Sequence, residues 1–178
     1  MNTFFKQIAK SARRASLRVA VPGLLSLSAL SAQAGTASNT FQVTATISSS
    51  CTVSGSALNF GSAIDPLATA TPLDATSTLT VTCTNTTPYT VALNAGTNAG
   101  GPSNFTTRTM KSGANTLGYQ IYLDSGRSTV WGDGTASSTK AGTGTGGAQA
   151  LTVYGRIPSL ANVVPGAYTD TVTVTVSY

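Results

Sequence analysis

The last eleven residues, Tyr168 to Tyr178, read YTDTVTVTVSY. Val172, Val174, Val176 and Tyr178 fall on one side and Thr171, Thr173, Thr175 and Ser177 on the other. That is the two-residue period of a half-buried β-strand, written in strong strand formers. A strand inside a sheet pairs on both edges, and no later segment follows this one in the sequence. Its second edge is therefore expected to stay open, and an open apolar edge invites another chain. The one comparable stretch without an obvious place in a self-contained fold is Thr40 to Ile47, TFQVTATI, near the other end. Its Phe41, Val43, Ala45 and Ile47 alternate with Gln42, Thr44 and Thr46 and make a second apolar face. The head strand of one copy is expected to complete the tail of another; the simpler alternative is that Thr40–Ile47 folds back as an ordinary first strand of its own sheet.

Residues 1–34 are set aside before composition is weighed. Lys6, Lys10, Arg13, Arg14 and Arg18 stand without an acid ahead of a short apolar run from Val19 to Leu30, and Ala32-Gln33-Ala34 has the small-x-small form of a cleavage site. This is the pattern of a secretory signal peptide. A run broken by Pro22 and Gly23 is too short to cross a hydrocarbon core of ~30 Å, so no stable membrane insertion is expected. The formal net charge of +5 belongs wholly to that leader. Arg108, Lys111, Arg127, Lys140 and Arg156 balance Asp65, Asp74, Asp124, Asp133 and Asp170 in the remainder, and nothing there asks for nucleic acid. A surface without Glu or His, rich in Thr, Ser, Gly and Ala, has little charge repulsion and suits packing against copies of itself.

Two cysteines in an exported chain most simply form one disulfide, Cys51 with Cys83. A redox site would need a CxxC pair or an activating neighbour, and the sequence has neither.

Between the ends, alternation marks strands at Thr78–Cys83, Tyr89–Ala95 and Ala150–Ile157, with Gly155 a candidate bulge. A short element is expected around Ala57–Phe60. The spacing predicts a hairpin of Thr106–Lys111 with Leu117–Asp124 around Ser112-Gly113-Ala114-Asn115, and a short strand at Thr129–Trp131. Pro66 and Pro72 make residues 62–75 a connection or an irregular edge in preference to a central strand, and Thr135–Gly147 reads as a low-complexity loop. No window holds a helical period. Short strands separated by Gly, Pro and Asn argue an all-β antiparallel sandwich.

Chemistry finds few footholds. Without His there is no Ser-His-Asp or Cys-His arrangement, so no catalytic residue, cofactor site or metal site is assigned. Gly142-Thr143-Gly144-Thr145-Gly146-Gly147 fits the bare GxGxxG expression but leads into a strand instead of a helix, which removes its phosphate-binding mechanism. Asp124, Asp133 and Asp170 sit by turns or at a strand start, where Asx hydrogen bonds account for them. Trp131 is read as a core residue before a sugar platform, and Arg156 as the partner of an Asp before an anion site.

Taken in order, Cys51-Thr52-Val53, Leu58-Asn59-Phe60-Gly61, Leu79-Thr80-Val81-Thr82-Cys83, Leu117-Gly118-Tyr119-Gln120-Ile121-Tyr122, Val130-Trp131-Gly132-Asp133-Gly134, Leu151-Thr152-Val153-Tyr154-Gly155-Arg156-Ile157-Pro158 and Tyr168-Thr169-Asp170-Thr171-Val172-Thr173-Val174 resemble the spore coat protein U domain. That family includes subunits of archaic chaperone-usher pili. The resemblance implies an incomplete immunoglobulin-like sandwich over residues 51–178, lacking its last strand, with residues 35–50 as donor strand and linker. It implies donor residues Phe41, Val43, Ala45 and Ile47 and a groove edge at Val172, Val174, Val176 and Tyr178. Implied partners are a periplasmic chaperone, an outer-membrane usher, and copies of this chain or sister pilins. The implied product is a surface fibre for adhesion and biofilm formation, with this chain a shaft or minor subunit. Two other readings are a secreted monomeric sandwich that binds carbohydrate through its loops, with Trp131 reporting the ligand, and an outer-coat protein of resting cells.

Overall fold

The computed structural model describes residues 34–135 and 137–178, so the leader lies, up to residue 33, outside the described residues. Residues 34–50 take neither helix nor strand. From Ala45 onward the chain forms one compact unit, and residues 34–44, which belong to a separate unit, are exposed.

Among the described residues nine strands follow: β1 Cys51–Gly55, β2 Leu73–Cys83, β3 Pro88–Leu93, β4 Thr109–Ser112, β5 Asn115–Gly118, β6 Gln120–Tyr122, β7 Lys140–Thr143, β8 Ala148–Ile157 and β9 Val174–Ser177. They pair antiparallel into a four-stranded sheet ordered β1-β2-β8-β6, a three-stranded sheet ordered β7-β3-β9, and the β4-β5 hairpin. The architecture is the antiparallel β-sandwich that the alternation argues for. Inward residues of both sheets make the core, with Val81, Val91, Leu93, Ile121, Val153 and Ile157 buried together. Trp131 is 1% exposed and donates its indole N–H to the Val91 carbonyl at 3.0 Å, so its polar tip is satisfied inside the core. Its face is not offered to a sugar.

Several elements differ from the sequence reading. CTVSG is a strand, β1, where none was expected. Ala57–Phe60 is not a strand; Leu58 and Phe60 instead turn inward over β8. A Cβ at Gly155 would lie 2.6 Å from Leu58 and 2.9 Å from Phe60, so Gly155 is there to admit those side chains. It is no bulge, because the β2–β8 register runs unbroken through Ala75 and Gly155. The predicted hairpin is shorter, β4 with β5, and Gln120–Tyr122 leaves it to join β8. Thr129–Trp131 makes only isolated bridges, and the low-complexity loop contains β7.

Candidate functional site: an open groove between two edges

Among the described residues β1 bonds only to β2 and β9 only to β3, so each sheet ends in a strand with one open edge. β1 runs from Cys51, opposite Cys83, toward Gly55, opposite Leu79. Ser177 lies opposite Thr90, just past the turn that leaves Cys83, so β9 runs the other way. The two open edges therefore flank one groove lengthwise, from a disulfide end to a loop end.

Hydrogen bonds fix which backbone groups are free. Asn94 N–H donates to Thr173 O at 3.0 Å, Thr97 N–H to Thr171 O at 3.1 Å, and Thr173 N–H to Asn94 Oδ1 at 2.9 Å. Thr171 and Thr173 thus face β3. Successive residues of a strand face opposite edges, so Val172, Val174 and Val176 turn their N–H and C=O to the open side. On β1, Ser56 N–H donates to Thr78 O and Thr84 N–H to Ser50 O. The same alternation leaves Cys51, Val53 and Gly55 free. The regular ladder of β9 begins only at Val174; before it the Asn94 side chain stands in for a backbone partner.

The loop-end half of the groove is a cavity of about 550 Å³, lined among others by Val53, Leu58, Phe60, Tyr168, Val172 and Val174. Val172, Val174 and Val176 are half-buried against the core, while Tyr178 is 59% exposed. The candidate donor side chains are the reverse of buried: Phe41 is 87% exposed, Val43 82% and Ile47 91%. Cys51 and Cys83 are bonded, with Cα atoms 4.1 Å apart, and the bond ties the first residue of β1 to the last of β2.

A polar brace holds the loop end. Tyr119 O–H donates to Asp170 Oδ2 at 2.7 Å, and Asp170 Oδ1 accepts from Thr97 Oγ1 and from the Asn98 backbone and side chain. Gly96, at φ +98°, lets the carboxylate approach, since a Cβ there would collide with Asp170 Oδ2. Asp170 is thus more than the solvated turn residue of the sequence reading. Behind it lies Arg108, 1% exposed, donating to Asn94 O at 2.7 Å, Trp131 O at 2.9 Å and Gln120 Oε1 at 3.1 Å. Desolvation lowers the Arg108 guanidinium to about 10, so it stays charged at neutral pH. Its partners lie far off in sequence, and no local pattern marks it.

Burial, then the bond to Asp170, raises the Tyr119 phenol well above the ordinary tyrosine value. A raised value in the folded state stabilises below the unfolded value and loses that stabilisation as pH rises toward the folded one. The Tm advantage of wild type over Tyr119→Phe is therefore expected to shrink as pH rises above about 10. Thermal melts of both proteins across that range check it; an advantage that stays constant with pH contradicts it.

The other acids are accounted for by local bonds. Asp124 caps the backbone N–H of Ser128 and Thr129, and Asp133 accepts from Ser103 and Thr135, which holds both carboxyls below the usual range. Arg156 bonds Asp74 through two nitrogens at 2.7 and 2.9 Å, with Arg127 3.2 Å away, so Arg156 is the ion-pair partner the sequence reading favoured.

Two sheets, one covalent clasp and a groove along two open edges define an incomplete immunoglobulin-like β-sandwich. The sequence model of the Spore Coat Protein U domain matches residues 37–175, and the chain belongs to that family. Among solved structures it is similar, at 28% identity and a TM-score of 0.54, to a chain in the crystal structure of the CsuC–CsuE chaperone–tip adhesion subunit pre-assembly complex from archaic chaperone-usher Csu pili of Acinetobacter baumannii. The match covers 75% of this chain and 40% of that one, so this chain spans well under half of its neighbour's length. Among curated proteins no relative matches.

Proposed function

We propose that this chain is a structural pilin that polymerises head to tail by strand exchange into a bacterial surface fibre for adhesion and biofilm formation. The observation that carries this reading is the pairing of an apolar groove between two open edges with an exposed apolar segment of matching period. Phe41, Val43, Ala45 and Ile47 of one copy enter the groove of another beside Val172, Val174, Val176 and Tyr178. A contact between different patches of identical subunits does not close on itself, and repetition makes a fibre.

Residues 1–34 direct export and are removed, residues 35–50 serve as donor strand and linker, and residues 51–178 form the body. Before assembly the groove needs a temporary occupant. The similarity to a chain in a chaperone–subunit complex supports a periplasmic chaperone in that role, with an outer-membrane usher exchanging it for the next subunit.

Surface material run in SDS with and without boiling tests the proposal. A ladder of multimers that collapses on boiling to a band near the mature mass is the expected result. A stable, soluble monomer in every lane would overturn it.

A further inference from the structure

Two arginines share one aspartate on the outer face of the four-stranded sheet, outside the groove. Asp74 of β2 lies opposite Arg156 of β8, and Tyr154, two residues along, lies opposite Tyr122 of β6. Directly opposed residues of antiparallel strands share a face. Leu73, Ile121, Val153 and Ile157 take the inner one, so their neighbours Asp74, Tyr122, Tyr154 and Arg156 stand together on the outer one. Arg127 reaches the same face from the turn after β6. Its Nε lies 3.2 Å from both Asp74 Oδ1 and Gly155 O, its Nη1 donates to Ser125 O at 3.1 Å, and its guanidinium rests 5.8 Å from the centre of the Tyr154 ring.

We infer that this cluster binds an acidic sugar, a hexuronate unit of a polysaccharide, whose carboxylate meets Arg127 and Arg156 and whose ring lies against Tyr122 and Tyr154.

Charge and free donors select the carboxylate. Two guanidiniums stand against one Asp74 carboxylate, and Asp124, in the same turn as Arg127, is committed to Ser128 and Thr129. Arg156 bonds Asp74 through Nε and Nη2 only. Its Nη1 and the Nη2 of Arg127 have no partner among the described residues, and neither is sealed from solvent. Guanidinium N–H groups match a carboxylate in geometry as well as in charge.

The backbone of Arg127 adds a second, independent sign. Its φ is +54°, a region that Gly or Asn enters at least cost and that an Arg seldom adopts. Such strain persists where the side chain has a use at that place. Anchored at Gly155, Ser125 and Asp74, the guanidinium is already ordered before a ligand arrives, which lowers the entropy lost on binding.

The tyrosines select a sugar over a bare anion. Each offers an apolar ring with a hydroxyl tip, which suits a ligand that is apolar on its C–H face and hydroxyl-bearing at its rim. The other outward positions of β2 and β8 hold only Thr and Ala. A peptide would find hydroxyls there and no pocket for an apolar anchor.

The exported chain, as recovered from the cell surface, is titrated with a fluorescently labelled galacturonate oligomer. A neutral glucose oligomer of equal length and an aspartate oligomer of equal charge run beside it. The expected result is saturable binding of the galacturonate oligomer alone, weakened by salt. Arg127→Asn, which suits the left-handed backbone, and Tyr122→Thr, which leaves every ionic contact in place, should each weaken it about tenfold or more. Circular dichroism and the multimer ladder should be unchanged in both variants, so the result does not depend on strand exchange. No binding by wild type, or binding unaffected by either substitution, overturns the site. Equal binding of the neutral oligomer overturns the role of the carboxylate. Equal binding of the aspartate oligomer overturns sugar recognition in favour of an acidic protein.

Discussion

Replacing Phe41, Val43 and Ile47 together by Asp is expected to abolish the heat-labile multimers while leaving the folded body intact. Each of these side chains is largely exposed, so none supports the body that contains β1–β9. Buried in another copy's groove, each contributes about 1.5–3 kcal/mol by removal of apolar surface from water. Loss of all three removes about 5–9 kcal/mol, which is three to six orders of magnitude in affinity. The carboxylates add to this, because an unpaired charge is costly to bury. Thr44→Asp is the matched control: in the proposed donor strand its side chain alternates with those of Val43 and Ala45 and would face outward, so its multimers are expected to persist. Circular dichroism of the two proteins should be alike. Multimers that survive the triple substitution would mean the subunits join through another surface.

Replacing Cys51 and Cys83 by Ser is expected to lower stability by roughly 3–4 kcal/mol, from the chain entropy of a loop closed over a separation of 32 residues. For a domain of this size that is a fall in Tm on the order of 10 °C. The loss should be uneven. β1 has one neighbouring strand, and the disulfide stands at its first residue. Amides of Cys51–Gly55 should therefore lose hydrogen-exchange protection well before those of β2 and β8, which are paired along most of their length. Since β1 forms one wall of the groove, multimer yield should fall with it. A melt unchanged by the double substitution would contradict the expectation.

The strands that could be read from sequence are those buried on one face only. β2, β3, β8 and the terminal segment alternate because one side meets the core and the other meets water. β1 escaped notice because CTVSG is only lightly buried, and a strand beside an open groove has little reason to alternate. β7 lies inside a Gly-rich stretch whose composition reads as loop, and its pairing with β3 is a long-range event with no local signature. The terminal strand was legible in type but not in detail. Asp170 is drawn to Tyr119, Thr97 and Asn98, and the regular ladder starts at Val174, three residues after the alternation begins at Thr171. Arg108 lay beyond reach altogether, since a buried cation is recognised only by partners that the fold assembles. The apolar faces of the two ends were plain in the sequence; the bonds that hold Asp170 in the wall of the groove needed the structure.

The position of the disulfide has a mechanical meaning. In a fibre joined by lengthwise strands, a pull on the filament runs along the donor and shears its hydrogen bonds together instead of peeling them one at a time. Force then enters each body through Ser50 at Cys51, the first residue of an edge strand that would otherwise unzip from its single neighbour. The covalent bond to Cys83 passes that force directly into β2, which is held on both sides. An edge strand with a single neighbour is thereby taken out of the load path.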